Sequence, residues 1–592
     1  MEVPNFSPDW RFKAAFGTVM FITLMAALDA TSLSVALPTI ADAVHGSAIE
    51  AFWSGTSFLL TSTVFQPSIG SFSTIFGRKP LLLFSVITFG IGAVVAGAAR
   101  SITVVLIGRS VQGVGGGGII ALSEILITDM VPLRERGKWH SLQSGMWSLG
   151  TVIGPLLGGG FAEKVSWRWL FYINLPFVGL GIPLIIYFLR LRFPVSSLGV
   201  KLKRVDWVGS VLFIASTTGF LIPLTWGGVQ YHWDSWRTLM PLVLCGIGLI
   251  FFVVYEEYWA TDPLILMSVF KNRTSAATYL QNVIHGIVLW CLMFYLPLYY
   301  EAVKGFSPTL AAVSLFPQSF TVAPAAAIVG ITIAKTGRYR WAVWSGWFLT
   351  TFGTGLLIFF DVNTPTAAWT CMSLVGGVGF GILFPAMALA LQAATKPEDQ
   401  AYAVTVFTFL RAFGQTIGVA VGGVVFQNQI RKKLLTFPAL AGRANELSKD
   451  ATALVRIIQH SPQGEMKEQL KKAYVFGLKH VWIVMTVLAF TALVSTLFVE
   501  GLSLDQALKT DQGFQYSMKT PAGEDGKMTE DNNAGLGYEL GSHIELHLHP
   551  GSNNRSELSV KTGGAASSLT SLPIQGTDEV SLDRRHETRM MI

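Results

Sequence analysis

The feature that most limits what this chain can fold into is a series of long segments, each of about 20 residues, that are almost free of charge. A helix of that length crosses the hydrocarbon core of a bilayer, and lipid offers no partner for backbone N–H and C=O groups left outside a helix. Composition agrees: 51% of the 592 residues are hydrophobic and only 13% are charged, with a mean hydropathy of +0.50. A soluble chain this long would need more charge to cover its surface. The sequence therefore predicts an all-α polytopic membrane protein whose first partner is the lipid bilayer.

Fourteen spans are expected, near 14–40, 48–72, 80–99, 102–128, 141–162, 169–190, 206–226, 238–256, 276–300, 308–334, 341–360, 366–394, 402–427 and 476–499. Lys and Arg favour the cytoplasmic loops. Arg78, Lys79, Arg134, Arg136, Lys138, Lys335, Arg338 and Arg340 fall on one side, whereas the short opposite loops hold Arg100, Lys164, Arg168, Arg237 and Lys304. Both termini are thus expected in the cytoplasm. The connection 429–475 breaks the pattern, since Arg431, Lys432 and Lys433 fall on the outer side. The tail 501–592, rich in Gly, Ser, Thr and charge, reads as disordered.

An internal repeat divides the chain. Gly70, Gly77, Arg78 and Lys79 follow the second span, and Gly330, Gly337, Arg338 and Arg340 follow the tenth, an offset of 260 (330 minus 70). Gly150, Gly154, Gly158 and Gly159 recur in spacing as Gly414, Gly418, Gly422 and Gly423, offset 264, and Leu37-Pro38 matches Leu296-Pro297, offset 259. Two six-helix bundles, 14–190 and 257–500, are expected after a short N-terminus, 1–13. A linker, 191–256, carries two extra helices between them. Duplicated halves around a central path are a common build for secondary transporters.

Charges inside a bilayer cost about 2.5–3.5 kcal/mol or more each and so need a reason. Asp29 in span one and Arg109 in span four are the clearest, and their depths differ by about 6 Å at about 1.5 Å per residue. Asp29 is read either as a proton-carrying or cation-binding carboxylate biased by Arg109, or as half of a structural ion pair. Glu124 and Asp129 lie towards the inner end of span four, either in a solvated network or in a relay. Arg411 either lines the cavity or snorkels to the inner surface. The glycines of span five allow close helix approach and Pro155 allows a bend. Gln112, Gln281, Asn282, His285 and Gln318, among aromatic residues, are candidates for a cavity that takes amphipathic organic molecules.

Other chemistries are poorly supported. Cys245, Cys291 and Cys371 lie in separate apolar runs, without metal or disulfide spacing. Gly113-x-Gly115-x-x-Gly118 fits a dinucleotide fingerprint literally but falls within a membrane span, and no G-x4-G-K-S/T loop exists. No metal, no cofactor, no enzymatic activity and no nucleic-acid partner are expected.

Several motifs together resemble the major facilitator superfamily, specifically its fungal 14-span drug:proton antiporters, over roughly residues 10–500. Gly70-Ser-Phe-Ser-Thr-Ile-Phe-Gly-Arg-Lys79 resembles the loop motif between spans two and three. Leu106-x-x-Arg109-x-x-Gln112-Gly113-x-Gly115 resembles the fourth-span motif, and Gly150-x-x-x-Gly154-Pro155-x-x-Gly158-Gly159 the fifth-span antiporter motif. Leu28-Asp29-x-Thr31 and Trp167 through Pro176 are similar to further family stretches. The resemblance implies the major facilitator fold, with Asp29 and Arg109 beside the central cavity. It also implies proton-coupled export of drugs, toxins or secondary metabolites by a monomer in the plasma membrane. Alternatives are a vacuolar or plasma-membrane transporter of basic amino acids or other nutrients, and a non-transporting sensor. Thr74 stands where the loop motif usually has aspartate, which makes Asp129 the candidate partner for Arg78.

Overall fold

The computed structural model of the chain describes residues 8–514, apart from 47, 193–195, 229, 449–450, 507, 509 and 511. Its long helices are α1 (Trp10–Ala43), α2 (Ala48–Phe76), α3 (Arg78–Gly97), α4 (Ile102–Met130), α5 (Arg136–Lys164), α6 (Asn174–Phe188) and α7 (Trp207–Trp226). They continue with α8 (Trp236–Tyr258), α9 (Arg273–Ala302), α10 (Phe316–Thr336), α11 (Arg340–Leu356), α12 (Thr366–Ala394), α13 (Gln400–Leu434) and α14 (Glu465–Ser495). Among the described residues there are isolated β-bridges but no strand. Twelve helices are long and apolar enough to cross a membrane. The other two, α2 and α5, have the length, 29 residues each, but carry Ser, Thr, Gln and His on a shared interior face. Fourteen crossings are compatible with these lengths; hydropathy alone gives twelve.

Glycine spacing explains how the helices pack. A Cβ at Gly113 on α4 would lie closer than 3 Å to Thr61 Oγ1 and Phe58 O of α2. In the second half, a Cβ at Gly377 on α12 would meet Thr321 Oγ1 and Gln318 O of α10 just as closely. Gly117 against Ser62 O matches Gly381 against Val322 O, and Gly115 against the Phe89 amide matches Gly379 against the Thr350 amide. All three pairs keep an offset of 264 on the glycine side and 260 or 261 on the partner side. The repeat is therefore a repeat of backbone contacts.

The G-x6-G motif has a separate cause at each of its glycines. Gly77 and Gly337 take positive φ, 101° and 66°, a region open to glycine at little cost. They turn the chain sharply from α2 into α3 and from α10 into α11. Gly70 and Gly330 instead lie where one half crosses the other. A Cβ on Gly70 would meet Thr405 of α13, and one on Gly330 would meet Ser141 and the Gly137 backbone of α5. Ser141 and Thr405 are themselves 264 residues apart, so the two crossings are related by the repeat. Both lie at the end that carries Arg78, Arg134 and Arg338, called here the basic end.

Other bonds close the basic end. Buried Arg136 donates to Gln392 Oε1 at 2.9 Å and Gln400 Oε1 at 2.7 Å across the halves, and to Val131 O and Thr128 O, each at 2.7 Å. Ser141 Oγ donates to Ala326 O at 2.6 Å, and Arg134 Nε to Ala334 O at 3.1 Å.

Two segments differ from the sequence expectation. The connection 429–475 is largely helical: α13 runs to Leu434, short helices follow at Pro438–Ala441, Ala444–Leu447 and Ala451–His460, and α14 starts at Glu465. Leu454, Val455 and Ile458 share an apolar face and are buried, an amphipathic pattern too short to register as a span. The expected tail starts later than 501, because the described residues between 501 and 514 pack on the bundle; from 515 onward the tail lies outside the described residues.

Replacing Gly115 with Ala puts a methyl against fixed backbone on α3, an overpacking that costs about 1–3 kcal/mol. Gly115→Ala is expected to lower the unfolding temperature in detergent. Gly145→Ala, where nothing lies within 4 Å, is the control and should leave it unchanged. Equal unfolding temperatures for the two variants would contradict this packing scheme.

Candidate functional site

A cavity lies between the halves, about 1260 Å³ of empty space when the part open to solvent is counted. It is lined by α1, α2, α4 and α5 from the first half and by α9, α10, α12 and α13 from the second. Phe58, Trp147, Trp290 and Phe384 give it aromatic walls, with Gln66, Gln143, Gln318 and Gln415 spaced between them. Gln66 Oε1 and Gln318 Nε2 are buried without a protein partner. One offers an acceptor and the other a donor to a bound molecule, on an otherwise apolar surface of the kind that holds organic ligands.

The acid among the lining residues is Glu124 on α4. Its Oε2 lies 3.2 Å from His140 Nδ1 on α5, and its Oε1 accepts from Arg411 Nη2 on α13 at 3.1 Å. Arg411 also stacks over Phe384 and Phe407, at 5.4 and 5.5 Å. His140 Nε2 lies 3.3 Å from Gln392 Nε2 of the second half. Glu124 and His140 are thus tied to the opposite half by side chains that must part if the halves separate here.

Asp29 and Arg109 do meet, but away from the cavity lining. Arg109 Nη1 donates to Asp29 Oδ2 at 2.6 Å. Gln112 Nε2 and Asn174 Nδ2 donate to Asp29 Oδ1 at 2.7 and 2.9 Å. Arg109 also donates to Gln112 Oε1 at 2.8 Å and to Ser54 O at 3.2 Å, and its guanidinium lies 4.3 Å from the centre of the Phe58 ring. Asp29 is 3% exposed and Arg109 1%. These bonds pin α1, α2, α4 and α6 together inside the first half, and both carboxylate oxygens have partners. Gln112, expected in the cavity, belongs to this cluster.

The other cavity candidates divide. Gln318 lines the cavity. Gln281 donates to Ser495 Oγ at 3.0 Å, Asn282 donates to Phe407 O, and His285 packs edge-on against Phe384 with ring centres 4.9 Å apart. All three serve the interior of the second half, because α9 is buried on several sides. The cavity is met one turn further on, by Leu289, Trp290 and Met293.

At the α2–α3 corner, Arg78 Nε pairs with Asp129 Oδ2 at 2.9 Å and its Nη1 donates to Ser73 Oγ at 2.6 Å. Lys79 Nζ donates to Ile186 O at 2.7 Å. Thr74 turns back to Ser71 O at 2.7 Å. The fifth-span glycines seat α5 on α1: Cβ atoms at Gly150, Gly154 and Gly158 would strike Ala27, Thr31 and Ser32 O respectively. Thr31 Oγ1 donates to Gly150 O at 2.8 Å, Gly159 is buried, and Pro155 lies within the helix.

Sequence reasoning missed His140 and Arg136. Both follow a run of basic loop residues and read as part of it. His140, four residues into α5, shows itself only by sharing a helix face with Ser144 and Trp147, and no periodicity of apolar residues marks that face.

Two matched helical halves, a cavity between them and a seal at one end define a multi-pass membrane transporter. The sequence profile described as Major Facilitator Superfamily matches residues 19–419. The chain is 59% identical over 523 residues to the MFS transporter L2 of Phoma sp., covering 88% of each chain. It is 36% identical over 531 residues to the efflux pump FUS6 of Gibberella moniliformis, covering 88% of this chain and 94% of the other. Among solved structures, the human organic anion transporter MFSD10 matches with a TM-score of 0.51 at 15% identity, over 81% of this chain and all of that one, which speaks to the fold. The chain belongs to the Major Facilitator Superfamily. It is a transporter of small molecules and not an enzyme.

Removing Arg109 strands a buried carboxylate, a loss of about 3–5 kcal/mol for a broken buried pair. Arg109→Leu is therefore expected to lower the yield and unfolding temperature of the purified protein sharply. The double variant Asp29→Asn with Arg109→Leu should recover a large part of both. An Arg109→Leu protein as stable as the parent would rule out this role.

Proposed function

We propose that the protein is a proton-driven exporter of amphipathic organic compounds, working by alternating access, with Glu124 as the proton-exchanging group. The observation that carries the reading is the Glu124–Arg411 pair, a charge contact between the two halves within the cavity. The relatives named as efflux pumps support export. The aromatic walls and dispersed glutamines suit large molecules of mixed polarity. A basic amino acid is a poorer fit, since the cavity's acid is already paired with His140 and Arg411.

The coupling follows from charge. An ionised Glu124 attracts Arg411 and helps hold the halves together within the cavity, so the basic end stays shut and the cavity faces the other side. A proton arriving on Glu124 from that side removes the attraction, and the basic end opens. Facing a less acidic cytoplasm, the carboxyl loses its proton, substrate enters, and the restored pair shuts the basic end behind it. One proton enters for each outward delivery, which is antiport. Asp29 suits this step less well than Glu124, because its partners are intramolecular to one half and do not part. Asp29 and Arg109 instead hold the first half rigid as it rocks. The orientation expected from the basic loops places the basic end, and the N-terminus with it, in the cytoplasm, in keeping with a plasma-membrane exporter.

The test is transport by purified protein in liposomes, against a panel of amphipathic compounds, with the pH difference imposed or collapsed. Parent protein is expected to move substrate only with the gradient imposed. Glu124→Gln is expected to lose the gradient-driven component by at least about tenfold while still binding substrate. Asp29→Asn, where it folds, is expected to keep the pH response. A pH response lost with Asp29→Asn and kept with Glu124→Gln would return the proton to Asp29. No gradient-dependent transport of any compound would remove the reading.

A further inference from the structure

Beyond α14 the chain does not leave the bundle. It first binds the second half. Tyr339 Oη donates to Glu500 O at 2.6 Å and accepts from the Leu502 amide at 3.2 Å. The Glu500 amide donates to Thr274 Oγ1 at 3.1 Å, and Gln506 Nε2 to Ala393 O at 3.1 Å. Leu504 is 1% exposed and belongs to the second half's apolar core. Asp505 then reaches Arg134 of the first half at 2.9 Å.

A few residues later the same segment is fixed to the first half. Thr510 Oγ1 donates to Asp129 Oδ1 at 2.9 Å, on the oxygen that Arg78 leaves free. Gln512 is 5% exposed. Its Oε1 accepts from the Arg78 amide at 3.0 Å, and its Nε2 donates to Ser73 O at 3.3 Å and Thr74 O at 3.1 Å. Ser73 O also accepts from the Gly77 amide at 3.1 Å; the Thr74 carbonyl and the first amide of α3 lie at helix ends, where partners within the helix run out, and one glutamine serves both. The Arg192 amide donates to Gly513 O at 3.0 Å, Leu191 and Phe514 form an antiparallel bridge, and the Phe514 ring meets Phe12 edge-on at 5.6 Å. Phe514 is part of the first half's apolar core.

We propose that the described residues between 500 and 514 are a strap joining the halves across the basic end. In this proposal Thr510 and Gln512 position the Arg78–Asp129 pair, and the Gln512–Phe514 anchor releases as that end opens. The two anchor points leave little chain to give. Gln506 and Thr510 are four residues apart, and a fully extended chain covers at most about 3.6 Å per residue, so the slack between them is bounded by about 14 Å. A wide opening at the basic end thus requires one anchor to let go. The first-half anchor is the one built on a helix corner, where α2 turns into α3.

The test uses full-length protein with Cys245, Cys291 and Cys371 replaced by Ser and a reporter Ser141→Cys at the crossing of α5 with α10. A membrane-impermeant maleimide is applied in vesicles from the side of the basic end, so the readout needs no transported compound and stands apart from the proton assignment. Gln512→Ala and Phe514→Ala are expected to speed labelling roughly fivefold, within the range of coupling between two conformational states. Thr510→Val should act in the same direction and serves if Gln512→Ala loses its monodisperse elution profile. Gln512→Glu, which keeps the acceptor for the Arg78 amide, should fall between. Leu508→Ser, on an exposed site of the same segment, should label at the parental rate. Labelling unchanged in Gln512→Ala, Phe514→Ala and Thr510→Val, or raised equally by Leu508→Ser, would overturn the strap.

Discussion

The structure depends on helix backbones coming into direct contact where glycine leaves no side chain between them. In lipid, apolar side chains gain little by leaving the solvent, so tight packing has to supply what water would otherwise drive. Within each half, three matched glycines on α4 and α12 let those helices sink onto their neighbours. Between the halves, Gly70 and Gly330 do the same at two related crossings. The first set makes each half a solid body. The second makes a flat, closely fitting seal that can part without disturbing either body. A transporter needs both properties, and one residue type at two kinds of position supplies them.

Charge is then placed according to what has to move. Asp29, Arg109, Gln112 and Asn174 form a closed cluster in one half, with every strong hydrogen-bonding group of the carboxylate used. Glu124 lies fifteen residues further along α4, about 22 Å at 1.5 Å per residue, and its partners come from α5 and from the opposite half. Taking a charge out of water is tolerable in both places because each is paired. Only the second pairing joins one half to the other, which is why the proposed proton step is placed there.

Much of this was legible in the sequence. The uncharged runs gave the class, and the repeated Gly-Arg motifs gave the two halves. The pairing of Asp29 with Arg109 followed from depth and charge; that of Arg78 with Asp129 followed from the resemblance, in which Thr74 stands where the loop motif usually has an acid. What stayed hidden depended on which way a side chain faces inside a helix buried on several sides. Gln281, Asn282 and His285 have the composition of a binding site but bond to α13, α14 and the aromatic interior. His140 was masked by the basic residues before it. The helix at Ala451–His460 was too short, and the strap to Phe514 too polar, for apolar periodicity to reveal either; the strap is held by single residues that find partners far away in sequence.

Pulsed electron–electron distances between paired spin labels test most directly whether the two halves rock about the cavity under control of a proton. One pair, at Lys138 and Lys396, spans the basic end, and another, at Lys164 and Asn363, spans the opposite end. Lowering the pH is expected to lengthen the first distance and shorten the second together, with Glu124→Gln holding the lengthened form at every pH. Two distances that stay constant, or that lengthen and shorten in step, would contradict it.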